Sequence, residues 1–112
     1  MSREKAAPGG TGMLLLALLA GGDKYGYEMI EALRERSNHV FDLKAGTLYP
    51  LLHGLEAQGW VTSYDGAANG RLRRYYAITE AGREALAQQE ASWNTYAAAV
   101  RGVLEGGVHC GA

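Results

Sequence analysis

The 112-residue chain has few of the residues that form disulfides, metal sites and catalytic groups. Its single cysteine, Cys110, cannot form an intrachain disulfide, so we expect a reducing, cytoplasmic environment, while the role of Cys110 stays open. The three histidines, His39, His53 and His109, lie on separate segments, without a Ser/His/Asp, Cys/His or metal-ligand spacing around them. We therefore expect neither an enzyme nor a metal or cofactor site.

A long hydrophobic run is also missing. The apolar stretch Met13–Ala20 has eight residues, whereas an α-helix needs about 20 to cross a bilayer. This stretch follows Arg3 and Lys5 and so resembles the apolar part of a signal peptide. However, Pro8-Gly9-Gly10 interrupts the approach to it, and the helix predicted next needs an apolar partner. We interpret Met13–Ala20 as a buried helix and expect no membrane association.

A strong net charge is the third absence, since the chain carries 11 basic and 12 acidic side chains for a net charge of -1. The charge is unevenly distributed. Residues 44–79 hold four basic and two acidic side chains, whereas residues 80–112 hold two basic and four acidic ones. The 47% apolar content is that of a globular domain. The middle of the chain is thus its basic part, as expected of a segment that binds nucleic acid.

The hydrophobic pattern predicts a mainly α-helical fold with a small β-wing. A disordered lead-in (1–10) precedes a domain over residues 11–79, a long helix over residues 80–105 and a flexible tail over residues 106–112. Within the first domain we predict helices at about 11–20 and 25–36, a short strand at 40–43, a third helix around residues 46–58, and strands at 60–64 and 73–78 joined by a loop.

The third helix has two different faces. Leu48, Leu51, Leu52 and Leu55 recur at helical spacing and predict a core stripe. The opposite side carries Gly46, Pro50 and His53, flanked by Thr47 and Tyr49. In a helix-turn-helix, the first residues of the second helix contact base edges, so this side is a candidate DNA-binding face. The alternative is an ordinary solvated face of mixed small residues.

The predicted hairpin that follows is basic near its tip. Arg71, Arg73 and Arg74 lie beside a glycine-rich loop. Strand alternation places Arg73 and Tyr75 on the outward face and Tyr76 on the inward face. Arginines in this position can bind phosphate groups or the minor groove. The alternative is a charged hairpin edge that prevents strand aggregation.

The last helix predicts a homodimer. Its interface positions recur in a heptad pattern that one polar residue interrupts: Leu86, Gln89, Trp93, Tyr96, Val100 and Val103. Two-fold symmetry would present two copies of the third helix to a palindromic operator. Trp93 could simply pack in the interface. Alternatively, Trp93 and its symmetry mate in the dimer flank a pocket for a planar aromatic effector, with Glu90, Ala97, Leu14 and Leu18 as its other residues.

Three motifs, YGYEMI at 25–30, GTLYPLLHGLE at 46–56 and RRYYAITEAGR at 73–83, resemble the PadR family of bacterial transcription regulators. The resemblance covers about residues 12–105. It implies a winged helix-turn-helix with a C-terminal dimerisation helix, which acts as a repressor of transcription released by a small molecule. The single short C-terminal helix is similar to the compact branch that includes multidrug-sensing repressors, in which a tryptophan of this helix binds the drug.

The resemblance also implies DNA contacts. They are Lys44, Gly46, Thr47, Tyr49 and His53 on the third helix, and Arg73 and Arg74 in the wing. Tyr25 and Tyr27 are expected to contact the DNA backbone or to pack. Gly54 stands where relatives often have a basic residue, which removes one expected phosphate contact. The alternative function is a winged-helix module that binds proteins or ligands but not specific DNA.

Overall fold

The computed structural model describes residues 10–109, which form four helices and three strands. In chain order these are α1 (Gly10–Ala20), β1 (Lys24–Tyr25), α2 (Gly26–Arg36), α3 (Ala45–Ala57), β2 (Val61–Ala68), β3 (Arg71–Ile78) and α4 (Glu80–His109). The predicted mainly helical fold with a small β-wing is confirmed. The predicted lead-in lies outside the described residues except for Gly10, the first residue of α1.

Helix α1 occupies the centre of the hydrophobic core. Leu15, Leu16, Leu18 and Leu19 are all buried, because the other helices and the sheet surround a helix that is apolar on every side. The rest of the core comes from α2, α3 and the sheet: Met29, Leu33, Leu48, Leu52, Leu55, Val61 and Tyr76. The ammonium group of Lys24 donates to the carbonyl oxygens of Leu18 and Gly22, at 3.2 and 3.3 Å, and so compensates the C-terminal end of α1.

The strand predicted at residues 40–43 is wrong. These residues connect α2 to α3 without strand structure, after a turn in which Asn38 and His39 have φ angles of 54° and 69°. The Phe41 amide donates to Ser37 Oγ at 2.9 Å within this turn. The third strand is instead β1, which pairs with β3. A strand forms only where a neighbouring edge is free, and β1 occupies the free edge of β3.

The sheet is antiparallel, in the order β1-β3-β2. The predicted loop at residues 65–70 is mostly strand, because β2 continues to Ala68 opposite Arg71. Only Asn69 and Gly70 form the turn, with φ angles of 54° and 74°. Two successive positive φ angles are typical of the tight hairpin turn that matches the twist of the strands.

Thr79 caps the long helix α4 and joins it to the rest of the domain. Its hydroxyl accepts from the Gly82 amide at 3.0 Å and donates to the Gly59 carbonyl at 2.7 Å. α4 has 30 residues and ends at His109. It therefore extends beyond the predicted helix over residues 80–105 and into the segment predicted as a flexible tail. Residues 110–112 of that tail lie outside the described range. α4 makes the described chain elongated, at 63 × 27 × 25 Å.

Candidate nucleic-acid interface

Helix α3 presents the two faces that its sequence predicts. Leu48, Leu52 and Leu55 are buried and Leu51 packs beside them. On the other side, the predicted contact residues Lys44, Gly46, Thr47, Pro50 and His53 are all exposed. Lys44 is the N-cap residue of α3, and its carbonyl oxygen accepts from the Thr47 and Leu48 amides, both at 2.9 Å. Lys44, Gly46 and Thr47 therefore lie at the positive end of the helix dipole, which favours phosphate, whereas Pro50 and His53 lie farther along the exposed face.

Tyr49 is less free than the sequence suggests. Its side chain is 37% exposed, and its ring lies against the backbone of Gly26 at the start of α2. A Cβ atom on residue 26 would overlap the Tyr49 hydroxyl and would lie 2.8 Å from Cζ. Gly26 is thus the position that lets α2 and α3 approach each other under the Tyr49 ring. Tyr49 packs between these helices as well as bordering the exposed face of α3.

The wing divides the three arginines between its two faces. Strand pairing places Arg74 opposite Asp65, and Arg74 Nη1 donates to Asp65 Oδ1 at 2.9 Å. This hydrogen bond and the carboxylate charge raise the pKa of Arg74. Arg71 and Arg73 alternate onto the opposite face, together with Tyr75. Arg71 begins β3 instead of lying in the loop where the sequence predicted it, so the three arginines beside the turn are divided between two faces of the wing.

Three tyrosines form a cluster on the face that carries Arg73. The Tyr75 ring contacts the Tyr25 ring edge-on at 5.5 Å and stacks on the Tyr64 ring at 5.6 Å. The Arg73 guanidinium lies over the Tyr25 ring, with Cζ 4.9 Å from the ring centre. Tyr64 donates from its hydroxyl to Asp23 Oδ2 at 2.6 Å, and this hydrogen bond raises the Tyr64 pKa.

Tyr64 and Asp23 are functional-site neighbours that the sequence did not reveal. The hydroxyl bond between them joins residues 41 positions apart. The pattern that could have identified Tyr64 is the hairpin register, which places Tyr64 directly opposite Tyr75. Tyr27, the second residue predicted to contact the DNA backbone, has an exposed side chain on α2 and does not belong to the tyrosine cluster. Its hydroxyl donates to Glu31 Oε2 at 2.8 Å, which raises the Tyr27 pKa.

The predicted dimer seam is divided between buried and exposed positions. Leu86 packs on the core and Gln89 is half-buried. From residue 90 onward the seam is open, and Trp93 is 40% exposed, Tyr96 43% and Val103 80%. The Trp93 and Tyr96 rings lie 5.9 Å apart. Among the described residues, Gln89 Oε1 is buried without a hydrogen-bond donor.

The residues of the predicted effector pocket do not meet within one chain. Trp93 and Ala97 line a cleft of about 300 Å³ on α4, whereas Leu14 and Leu18 line a separate cleft of about 230 Å³ between α1 and α2. Glu90 is exposed and lines neither of these clefts. The predicted pocket is thus incomplete in a single chain.

The described residues hold neither a metal-ligand cluster nor a membrane-spanning helix. Between residues 10 and 109, no three histidine, cysteine, aspartate or glutamate side chains cluster as metal ligands do. Over the same residues, no helix combines the length and apolar character that a bilayer crossing requires.

Several known proteins with similar sequences or structures are transcriptional regulators. The chain is 42% identical to the transcriptional regulator Rv3488 of Mycobacterium tuberculosis over 69 residues, which are 62% of this chain and 64% of that protein. A transcriptional regulator structure from Clostridium thermocellum shares 31% identity and a TM-score of 0.76, with 83% of this chain and 91% of that chain covered. A PadR family transcription regulator from Clostridium difficile R20291 shares 29% identity and a TM-score of 0.72, with 83% and 96% covered.

The family assignment follows from the extent of these matches. The sequence model of the "Transcriptional regulator PadR-like family" matches residues 15–88, which include α2, α3 and the whole wing. The structural similarity extends over more than four fifths of the chain. The chain belongs to the PadR-like family of transcriptional regulators.

Proposed function

We propose that the protein is a cytoplasmic repressor that binds a palindromic operator as a homodimer. The observation that carries this proposal is the exposed face of α3 and its N-cap, where Lys44, Gly46, Thr47, Pro50 and His53 all face away from the leucine-lined core. A helix anchored along one side and open along the other is the element that enters a major groove. The wing adds the exposed Arg71, next to its hairpin turn, as a further candidate contact to DNA.

The exposed part of α4 supports the homodimer. Tyr96, Val100 and Val103 form an apolar stripe that the rest of the described chain leaves exposed. A second copy of the same stripe would bury it and could offer a donor to the buried Gln89 oxygen. Two-fold symmetry then gives the two α3 helices a fixed separation, which is the reason for expecting a palindromic operator.

The effector is proposed to be a small planar aromatic compound. Trp93 supplies a large, half-exposed aromatic surface, and Ala97 next to it leaves room for a ligand. In the homodimer, α1 of one copy would bring the half-buried Leu14 towards Trp93 of the other copy and complete the pocket, with the buried Leu18 behind it. Ligand in this pocket would change the angle between the two protomers and release the operator.

A fluorescence anisotropy titration tests the DNA-binding proposal. The probe is a labelled duplex from upstream of the gene for this protein, with excess unrelated duplex as competitor. We expect saturable binding that resists the competitor, and His53→Ala should weaken it by about 1–3 kcal/mol, as loss of a base contact does. Gln88→Ala, which changes an exposed residue of α4, is the matched control and should bind like wild type. Binding that the competitor removes would favour a protein-binding or ligand-binding module.

Replacing Trp93 tests the effector site. Trp93→Ala should abolish the release of operator by planar aromatic dyes while the variant remains a DNA-binding dimer. Sedimentation velocity at the concentrations of the binding assay checks the second condition. A monomeric variant would show that Trp93 mainly packs the interface, and a variant that still responds to the dyes would place the effector elsewhere.

A further inference from the structure

Arg73 and Arg74 are adjacent in the sequence but differ in what surrounds them. Arg74 already donates to the carboxylate of Asp65 at 2.9 Å, so part of its charge is compensated within the wing. Arg73 lies on the other face, with its guanidinium over the Tyr25 ring. Its Nε atom is buried and has no hydrogen-bond acceptor among the described residues. Within residues 10–109, an aromatic ring and no acidic partner therefore holds the Arg73 guanidinium, so that its charge is available to a ligand.

Tyr25, whose ring holds Arg73, is itself positioned by two backbone contacts and one ring contact. Tyr25 pairs with Tyr75 in the β1–β3 register, and its amide donates to Glu28 Oε1 at 3.1 Å. Its ring meets the Tyr75 ring edge-on at 5.5 Å, with an interplanar angle of 79°. Edge-to-face contact between aromatic rings is directional, so the Tyr25 ring has a defined orientation beneath the guanidinium.

Tyr75 is positioned in turn by β2. Its ring stacks on Tyr64, and the Tyr64 hydroxyl is bonded to Asp23. Gly66 leaves the space that the Tyr75 ring fills, since a Cβ atom at residue 66 would lie 2.8 Å from Cδ1 and Cε1 of that ring. The contacts thus run without a gap from the turn before β1, through both wing strands, to the Arg73 guanidinium.

We infer that Arg73 is the wing residue that binds a DNA phosphate, and that Tyr25 is the positioning residue that holds its guanidinium for this contact. The inference rests on the proposed function and extends it. It assigns the phosphate contact to one of two adjacent arginines. It also gives Tyr25 a role through Arg73 instead of a DNA contact of its own. A guanidinium held before binding loses less freedom when the phosphate arrives, which is why its position affects affinity.

The salt dependence of DNA binding measures this contact. The logarithm of the association constant falls with the logarithm of salt concentration, by about 0.9 for each phosphate neutralised. Arg73→Ala should therefore reduce the slope by about 1 and weaken binding to operator and unrelated duplex alike. Tyr25→Leu should reduce the slope nearly as much although it removes no charge, and Tyr25→Phe, which keeps the ring, should retain the wild-type slope. Arg74→Ala should change the slope less than Arg73→Ala does.

The double variant decides whether Tyr25 acts through Arg73. Tyr25→Leu combined with Arg73→Ala should bind no more weakly than Arg73→Ala alone. Additive losses, or a wild-type slope for Tyr25→Leu, would overturn the inference. Circular dichroism melting confirms that each variant is folded. If Tyr25→Leu does not fold, Gly66→Ala is the alternative variant. Its Cβ atom would displace the Tyr75 ring that orients Tyr25, and it should lower the salt-dependence slope in the same way. Wild-type protein without specific DNA binding would refute the proposed function and this inference together.

Discussion

The exposed end of the α4 stripe offers a quantitative test of the homodimer. Val103 is 80% exposed in the single chain. Val103→Ala removes two methyl groups, each worth about 0.8 kcal/mol when fully buried. Scaled by the exposed fraction, the loss on burial against a partner is about 1.3 kcal/mol per protomer, and symmetry doubles it to about 2.6 kcal/mol per dimer. At about 1.4 kcal/mol for each factor of ten, the dimer Kd should rise about 70-fold.

Sedimentation equilibrium over a range of protein concentrations measures this Kd directly. Thr95→Ala is the matched control, because it also truncates an exposed β-branched side chain but lies outside the heptad positions of the stripe. Thr95→Ala should leave the Kd within a few-fold of wild type. If Val103→Ala associates as tightly as Thr95→Ala does, the stripe is not the dimer interface. Wild-type protein that stays monomeric at high concentration would refute the homodimer itself.

Two further predictions concern the fold that supports the interface. Gly82→Ala should destabilise the protein by about 1–3 kcal/mol in thermal unfolding, because a Cβ atom there would overlap the Trp60 carbonyl oxygen, which belongs to rigid backbone; a melting temperature equal to wild type would show that α4 can shift to accommodate it. Tyr64→Phe concerns alkaline pH. The hydrogen bond to Asp23 raises the Tyr64 pKa above its ordinary value of 10.0, so above that pH the unfolded chain loses its proton first and stability falls. Melting temperatures measured from about pH 8 to about pH 11 should therefore fall less steeply for Tyr64→Phe than for wild type, and parallel curves would contradict this account.

Local sequence pattern predicted the elements whose periodicity is set by burial. The leucines of α3 recur at helical spacing because one face must pack on α1, and Leu48, Leu52 and Leu55 are buried as expected. The apolar run of α1 was correctly interpreted as core for the same reason. The predicted inward position of Tyr76 also follows from simple strand alternation.

Features that depend on pairing between distant segments were not predictable. Residues 40–43 alternate like a strand, yet the strand formed at Lys24–Tyr25, because only there does the chain pass the free edge of β3. Arg74 and Arg73 were grouped by sequence proximity, whereas the hairpin register brings Asp65 to Arg74 and the fold brings Tyr25 to Arg73. Contacts of this kind can be identified only when the tertiary structure is known.

The junction between α3 and α4 explains how a signal at the proposed dimer seam would reach DNA. Trp60 lies three residues after the end of α3, and its carbonyl oxygen accepts a hydrogen bond from the Thr79 amide at 3.0 Å. The absence of a side chain on Gly82 lets the first turn of α4 pack against the same carbonyl. Because this junction is tight and Thr79 caps α4, we propose that a rotation of α4 would carry α3 with it. An effector that changes the angle between two α4 helices would therefore change the separation of the two α3 helices, and a palindromic operator accepts only one separation.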